Sequence, residues 1–155
     1  MADRFEIRVQ EAAFDPGAEL SAMTDGRSDI GGVACFVGLV RDFASDEAVT
    51  ALTLEHYPGM TEKRLAEICR EAVTRWDLTS ARIVHRVGRM LPGEPIVLTA
   101  AASPHRAAAF EACWFLIDWL KTSAPFWKLE ETPDGERWVD AKASDDAAAN
   151  RWRQE

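Results

Sequence analysis

Apolar and polar residues alternate along RFEIRVQ, residues 4–10, with Phe5, Ile7 and Val9 on one side, and that period of two predicts a half-buried first strand. A polar stretch containing Pro16, Gly17, Asp25 and Gly26 follows. The nearly unbroken apolar run GGVACFVGLVR then predicts a buried strand that emerges at Arg41 into the charged turn RDFASDE. Alternation returns in TALTLEHY, which places Leu52, Leu54 and His56 opposite Thr53, Glu55 and Tyr57, until Pro58 and Gly59 break it.

From Thr61 to Trp76 the period changes to that of a helix, with Leu65, Ile68, Cys69, Ala72, Val73 and Trp76 opposite a charged face. Two more strands, ARIVHRVG and PIVLTAAA, are joined by RMLPGE, whose Pro92 and Gly93 suit a turn, so a hairpin or an adjacent pair is expected. Ser103 is the expected N-cap of a second helix, with Pro104 at its first position, running unbroken to Thr122 ahead of Pro125. PFWKLEETPDGERWVDAK reads as two short extended pieces around a Pro-Asp-Gly turn. The alanine-rich, charged tail from about residue 144 is either a short helix or flexible. Strands mixed with two main helices indicate an α+β protein, and 155 residues at 47% hydrophobic suffice for a single domain spanning 1–155.

Composition narrows the function. A net charge of −8 argues against a general nucleic-acid binder, although a local basic pocket for a small anion is compatible with it. No apolar run is long enough to span a membrane and the N-terminus lacks a signal core, so a soluble, cytoplasmic protein is expected. Cys35, Cys69 and Cys113 form no Cys-x-x-Cys pair, and Cys69 and Cys113 fall in apolar helical patterns where cysteine acts as a small hydrophobe. No metal-ligand spacing, dinucleotide fingerprint, P-loop or nucleophile elbow occurs, so neither metal nor cofactor is expected.

Cations are the candidate chemistry. Phe110, Trp114, Ile117 and Lys121 fall at steps of four, three and four, so Lys121 continues an apolar helical stripe. It either snorkels from the last turn and offsets the helix dipole, or serves a reaction. Lys128, beside Phe126 and Trp127, is either an exposed cation stacked on tryptophan or a lysine whose pKa burial lowers toward a general acid or base. His105 and Arg106 open the second helix, where unpaired N–H groups favour an anion such as phosphate. His56 and His85 lie in strand patterns and read as structural.

LTLEHYPGMTEK, IVHRVGRMLPGE, SPHRAAAFEA and LKTSAPFWKLE, in this order and over nearly the whole chain, resemble the large, catalytic subunit of molybdopterin synthase, the MoaE family. The resemblance implies an α/β-hammerhead fold and a homodimer flanked by two copies of a small ubiquitin-like subunit. That partner's C-terminal Gly-Gly thiocarboxylate would deliver two sulfurs to cyclic pyranopterin monophosphate. It also implies catalytic roles for Lys121 and Lys128, and substrate contacts for Arg41, His105 and Arg106, with Lys142 reaching across the dimer where a related chain has arginine. Lysine at 142 keeps the charge without the bidentate fork, and at Leu39 the resemblance leads one to expect lysine in some relatives. Two competing readings are a non-catalytic dimeric module that binds a pterin or another phosphorylated metabolite, and a dimer scaffold alone.

Overall fold

The computed structural model describes residues 4–44, 47–139 and 143–153. Strand β1 (Phe5–Gln10) leads to helix α1 (Pro16–Thr24), then β2 (Gly32–Leu39), the two-residue strands β3 (Phe43–Ala44) and β4 (Glu47–Ala48), and β5 (Ala51–His56). Helix α2 (Met60–Trp76) is followed by β6 (Ser80–Arg86), β7 (Gly88–Met90) and β8 (Pro95–Ser103). Helix α3 (Arg106–Ser123), β9 (Phe126–Thr132), β10 (Gly135–Val139) and α4 (Ala143–Asn150) complete the order.

A mixed sheet has the order β1-β6-β8-β2, with β1 and β6 parallel and the other neighbours antiparallel. A second, wholly antiparallel sheet runs β10-β9-β5-β7. ARIVHRVG and PIVLTAAA are adjacent antiparallel strands, as expected. The segment between them is more than a turn, since Gly88–Met90 pairs with β5 and carries the chain into the second sheet.

Both faces of the first sheet are covered. Leu65, Ile68, Cys69 and Ala72 of α2 and Ala109, Ala112, Leu116 and Leu120 of α3 pack on Ile83, Val97 and Ala101. On the reverse face Val84, Leu98, Ala100 and Ala102 meet Met23 of α1 and Phe14. A strand buried on both sides has no solvent face to alternate with, which is why PIVLTAAA reads as a continuous apolar run. Truncating a fully buried residue such as Leu65 to alanine should cost about 2–5 kcal/mol.

Helix α1 was not expected from its polar composition. Asp15 explains it: the carboxylate accepts from the N–H groups of Gly17 (2.9 Å) and Ala18 (3.4 Å), and Pro16 pre-sets the first turn. Glu19 then anchors the helix to the sheet, accepting hydrogen bonds from Arg8 of β1 and Arg82 of β6. Helix α2 begins where the Glu62 carboxylate takes the Gly59 N–H (3.2 Å), and stops at Asp77 in the left-handed region.

Ser103 is not the N-cap of α3. It is the last residue of β8, paired with Gly32, and its hydroxyl instead accepts the N–H of His105, which occupies the cap position without a side-chain bond. Sheet pairing holds Ser103 in the strand and delays the helix to Arg106. The tail forms α4, and the turn after it docks through Trp152, whose indole N–H donates to Asp118 (2.8 Å) while its ring meets Trp76 and Phe115 edge-on. No described helix is long and apolar enough to cross a membrane.

Candidate active site

A cleft of about 590 Å³ opens between the C-terminal end of α3, the end of β2 and the inner face of the second sheet. Three expected cations line it: Arg41, Lys121 and Lys128. Lys121 stands in the last turn of α3, which ends at Ser123 with Ala124 as its cap because Pro125 cannot continue the helix. Lys128 sits in β9 between Leu54 of β5 and Val139 of β10, a register that fixes which sheet face it joins. Lys121 is exposed at the rim and Lys128 half-buried.

Arg41 is delivered by an irregularity. The β2–β8 register shifts between Gly38 and Leu39, and the chain is then pinned where the Val40 N–H donates to Glu94 (3.0 Å) and its carbonyl accepts from Gly93 (2.7 Å). Such a bulge re-aims the strand end, and the Arg41 guanidinium lies 5.5 Å from the Phe43 ring centroid. Leu39, 51% exposed, lines the same cleft, so an apolar side chain occupies the rim where some relatives were expected to carry lysine.

Helix α3 does not present the expected stripe to the core. Its buried residues are Ala109, Ala112, Cys113, Phe115, Leu116 and Leu120, whereas Phe110 is 66% and Trp114 51% exposed. Phe115 is the one aromatic of α3 that is fully buried, whereas Phe110 and Trp114 lie on the outer side, where Arg151 stacks over Trp114 at 4.2 Å. Lys121 is therefore placed by its position beside the cleft rather than by an apolar stripe.

His105 and Arg106 are exposed at the opposite end of α3 and do not line the cleft. Fifteen residues of helix separate Arg106 from Lys121, about 22 Å at 1.5 Å per residue. Lys142 lies outside the described residues.

Sequence reasoning missed two cleft residues. Glu130, buried on β9, accepts from Nε and Nη2 of Arg137, both at 3.0 Å, and is thereby neutralised. His85, read as structural, is buried at the inner wall, stacked on Phe126 with centroids 3.9 Å apart and planes 15° from parallel. Burial, followed by the positive charges of Lys121, His56 and Lys128, pushes its pKa down to about 3 despite the Arg86 carbonyl, so the ring is neutral. The available signal was a histidine on the same strand face as Ala81 and Ile83.

Two thiols are inert, as expected. Burial pushes Cys69 up to about 12 and Cys113 up to about 11, keeping both protonated. Among the described residues, no group of three or more His, Cys, Asp or Glu side chains could hold a metal ion.

Fold and cleft together define an α+β protein with a cationic pocket suited to a small anionic substrate and to proton transfer. A family model described as MoaE protein matches residues 9–123. The molybdopterin synthase catalytic subunit of Pseudomonas aeruginosa is 57% identical over 148 residues, covering 96% of this chain and 99% of that protein. Among solved structures, the molybdopterin biosynthesis MoaE protein from Burkholderia ambifaria is 54% identical with a TM-score of 0.82, covering 96% of this chain and 98% of that one. A chain of the protein-protein complex of subunits 1 and 2 of molybdopterin-converting factor from Helicobacter pylori shares the fold at 20% identity, with a TM-score of 0.73 over 88% of this chain and 91% of that one. The chain belongs to the MoaE family of molybdopterin synthase catalytic subunits and serves molybdenum cofactor biosynthesis.

Proposed function

We propose that the chain is a cytoplasmic sulfurtransferase that works as a homodimer with a small ubiquitin-like subunit. It moves two sulfurs from that partner's C-terminal Gly-Gly thiocarboxylate to cyclic pyranopterin monophosphate, forming the dithiolene of molybdopterin. The observation that carries this reading is the convergence of Lys121, Lys128 and Arg41 from a helix, a strand and a bulged strand end onto one cleft. The Helicobacter pylori relative, described as a complex of two subunits, supports the two-component assembly.

In each transfer the thiocarboxylate sulfur attacks a side-chain carbon of the pterin. That carbon loses an oxygen leaving group, which takes up a proton, and water then splits the acyl–sulfur bond to release the partner as a carboxylate. No electrons are gained or lost, so the work is proton transfer and anion stabilisation, which ammonium and guanidinium groups supply. Lys121 delivers the proton or stabilises the intermediate, Lys128 holds the thiocarboxylate or substrate anion, and Arg41 holds the phosphate.

His105 and Arg106 serve the same substrate by entering from the second subunit, because within one chain the length of α3 keeps them from the cleft. Lys142 acts across the same interface.

Reconstitution tests the reading: purified protein, thiocarboxylated partner and cyclic precursor should yield dithiolene product by mass spectrometry. Precursor binding without conversion would instead establish a binding module. In that assay Lys121→Ala should lower turnover about 100-fold or more with the fold intact; near-normal turnover would remove Lys121 from catalysis.

A further inference from the structure

His85 has no part in the chemistry above, yet it is a polar side chain only 4% exposed at the wall of a cationic cleft. Its Nδ1 lies 2.8 Å from the Arg86 carbonyl oxygen. A carbonyl only accepts, so Nδ1 carries the hydrogen and Nε2 is left as a bare acceptor. Phe126 covers one ring face and fixes the ring plane. Among the described residues no hydrogen bond is made to Nε2.

The rest of the lining explains why such an acceptor matters. Lys121, Lys128 and Arg41 can only donate, and the Glu130 carboxylate is ion-paired through Oε1 with Arg137. A ligand made solely of acceptors, such as a free phosphate, satisfies the cations and gains nothing from His85. We propose that His85 is a specificity-determining residue whose Nε2 accepts an N–H of the ligand's heterocycle, so that the cleft selects an anion joined to an N–H-bearing ring over an anion alone.

Burial above all, and then the positive charges of Lys121 and Lys128, keep His85 neutral, and so keep it an acceptor. A site built to hydrogen-bond an N–H discriminates strongly against a ligand that lacks it, because the acceptor is then buried unpaired. The inference rests on the sulfur-transfer reading only for the ligand's identity, the pterin of cyclic pyranopterin monophosphate.

The experiment is equilibrium binding of two probes, cyclic pyranopterin monophosphate and inorganic phosphate, to wild type, His85→Phe and His85→Gln. Phenylalanine preserves the stack on Phe126 and removes the acceptor; glutamine restores an acceptor near the Nε2 position. The expected result is about a 10-fold or greater loss of precursor affinity in His85→Phe, phosphate affinity within about 2-fold of wild type, and partial recovery in His85→Gln. Unchanged precursor affinity in a folded His85→Phe would overturn the proposal, as would equal losses for both probes. If His85→Phe does not fold, His85→Gln decides alone: retained precursor affinity supports the proposal, and loss matched by phosphate overturns it. Wild-type protein that binds no precursor would instead count against the sulfur-transfer reading itself.

Discussion

Gly31→Ala should destabilise the protein although it adds only one methyl group. Gly31 lies just before β2, its N–H donating to the Ser103 carbonyl (2.9 Å). A Cβ there would sit 2.0 Å from the Pro104 carbonyl oxygen and 2.8 Å from its carbon, about 1.4 Å short of the 3.4 Å at which ordinary contact begins. Every atom it meets is backbone, so no side chain can swing away. Proline fixes its own φ, and Ser103 is held by its pairing with Gly32, so the Pro104–His105 segment must shift as a unit. Overpacking of this kind costs about 1–3 kcal/mol. For a chain of this size that lowers the melting temperature by roughly 2–12 °C.

Gly32→Ala is the matched control, because a Cβ at Gly32 meets nothing within 4 Å. It should be neutral or stabilise by up to about 1 kcal/mol through the unfolded state. Calorimetry on both variants gives the comparison, and equal melting temperatures would refute the steric reasoning. Because Pro104 leads directly into His105 and Arg106, Gly31→Ala should also lower turnover in the reconstituted reaction, with both residues unaltered.

Trp152→Ala removes the edge contacts with Trp76 and Phe115 and the hydrogen bond to Asp118, and should cost about 2–4 kcal/mol in urea denaturation; a loss below about 0.5 kcal/mol would show that the tail docks without stabilising. With an aromatic disulfide reagent, native protein should release one equivalent of thiol quickly, from exposed Cys35, and the other two only on unfolding. Acid should weaken the fold from just below neutrality: His85, facing Lys121, His56 and Lys128, is neutral when folded but gains a proton near pH ~6.5 when unfolded. Its contribution is thus complete above that pH and declines as pH falls toward about 3. Glu19 adds a later loss, since the hydrogen bonds from Arg8 and Arg82 outweigh burial and hold its carboxyl below the usual range. A urea midpoint that stays flat between pH 7 and 5, or a decline that survives in His85→Phe, would contradict the His85 assignment.

The sequence by itself determined the elements whose local pattern is strong. The period of Leu65, Ile68, Cys69 and Ala72 specified α2 to within one residue of its start, and the two apolar strands around RMLPGE became neighbours. The two lysines that line the cleft were also legible as candidates, one at a helix end closed by proline and one in an aromatic strand. Tertiary structure decided everything that depends on which faces meet. Sheet pairing held Ser103 in β8 and moved the helix cap to His105, while packing on the sheet and α2 took Ala109, Ala112, Phe115 and Leu116 of α3 inward and left Phe110 and Trp114 out. The length of α3 put His105 and Arg106 at the far end from the cleft. His85 joined the cleft because β6 and β9 belong to different sheets that bring it onto Phe126, a contact between residues 41 positions apart that no local period encodes.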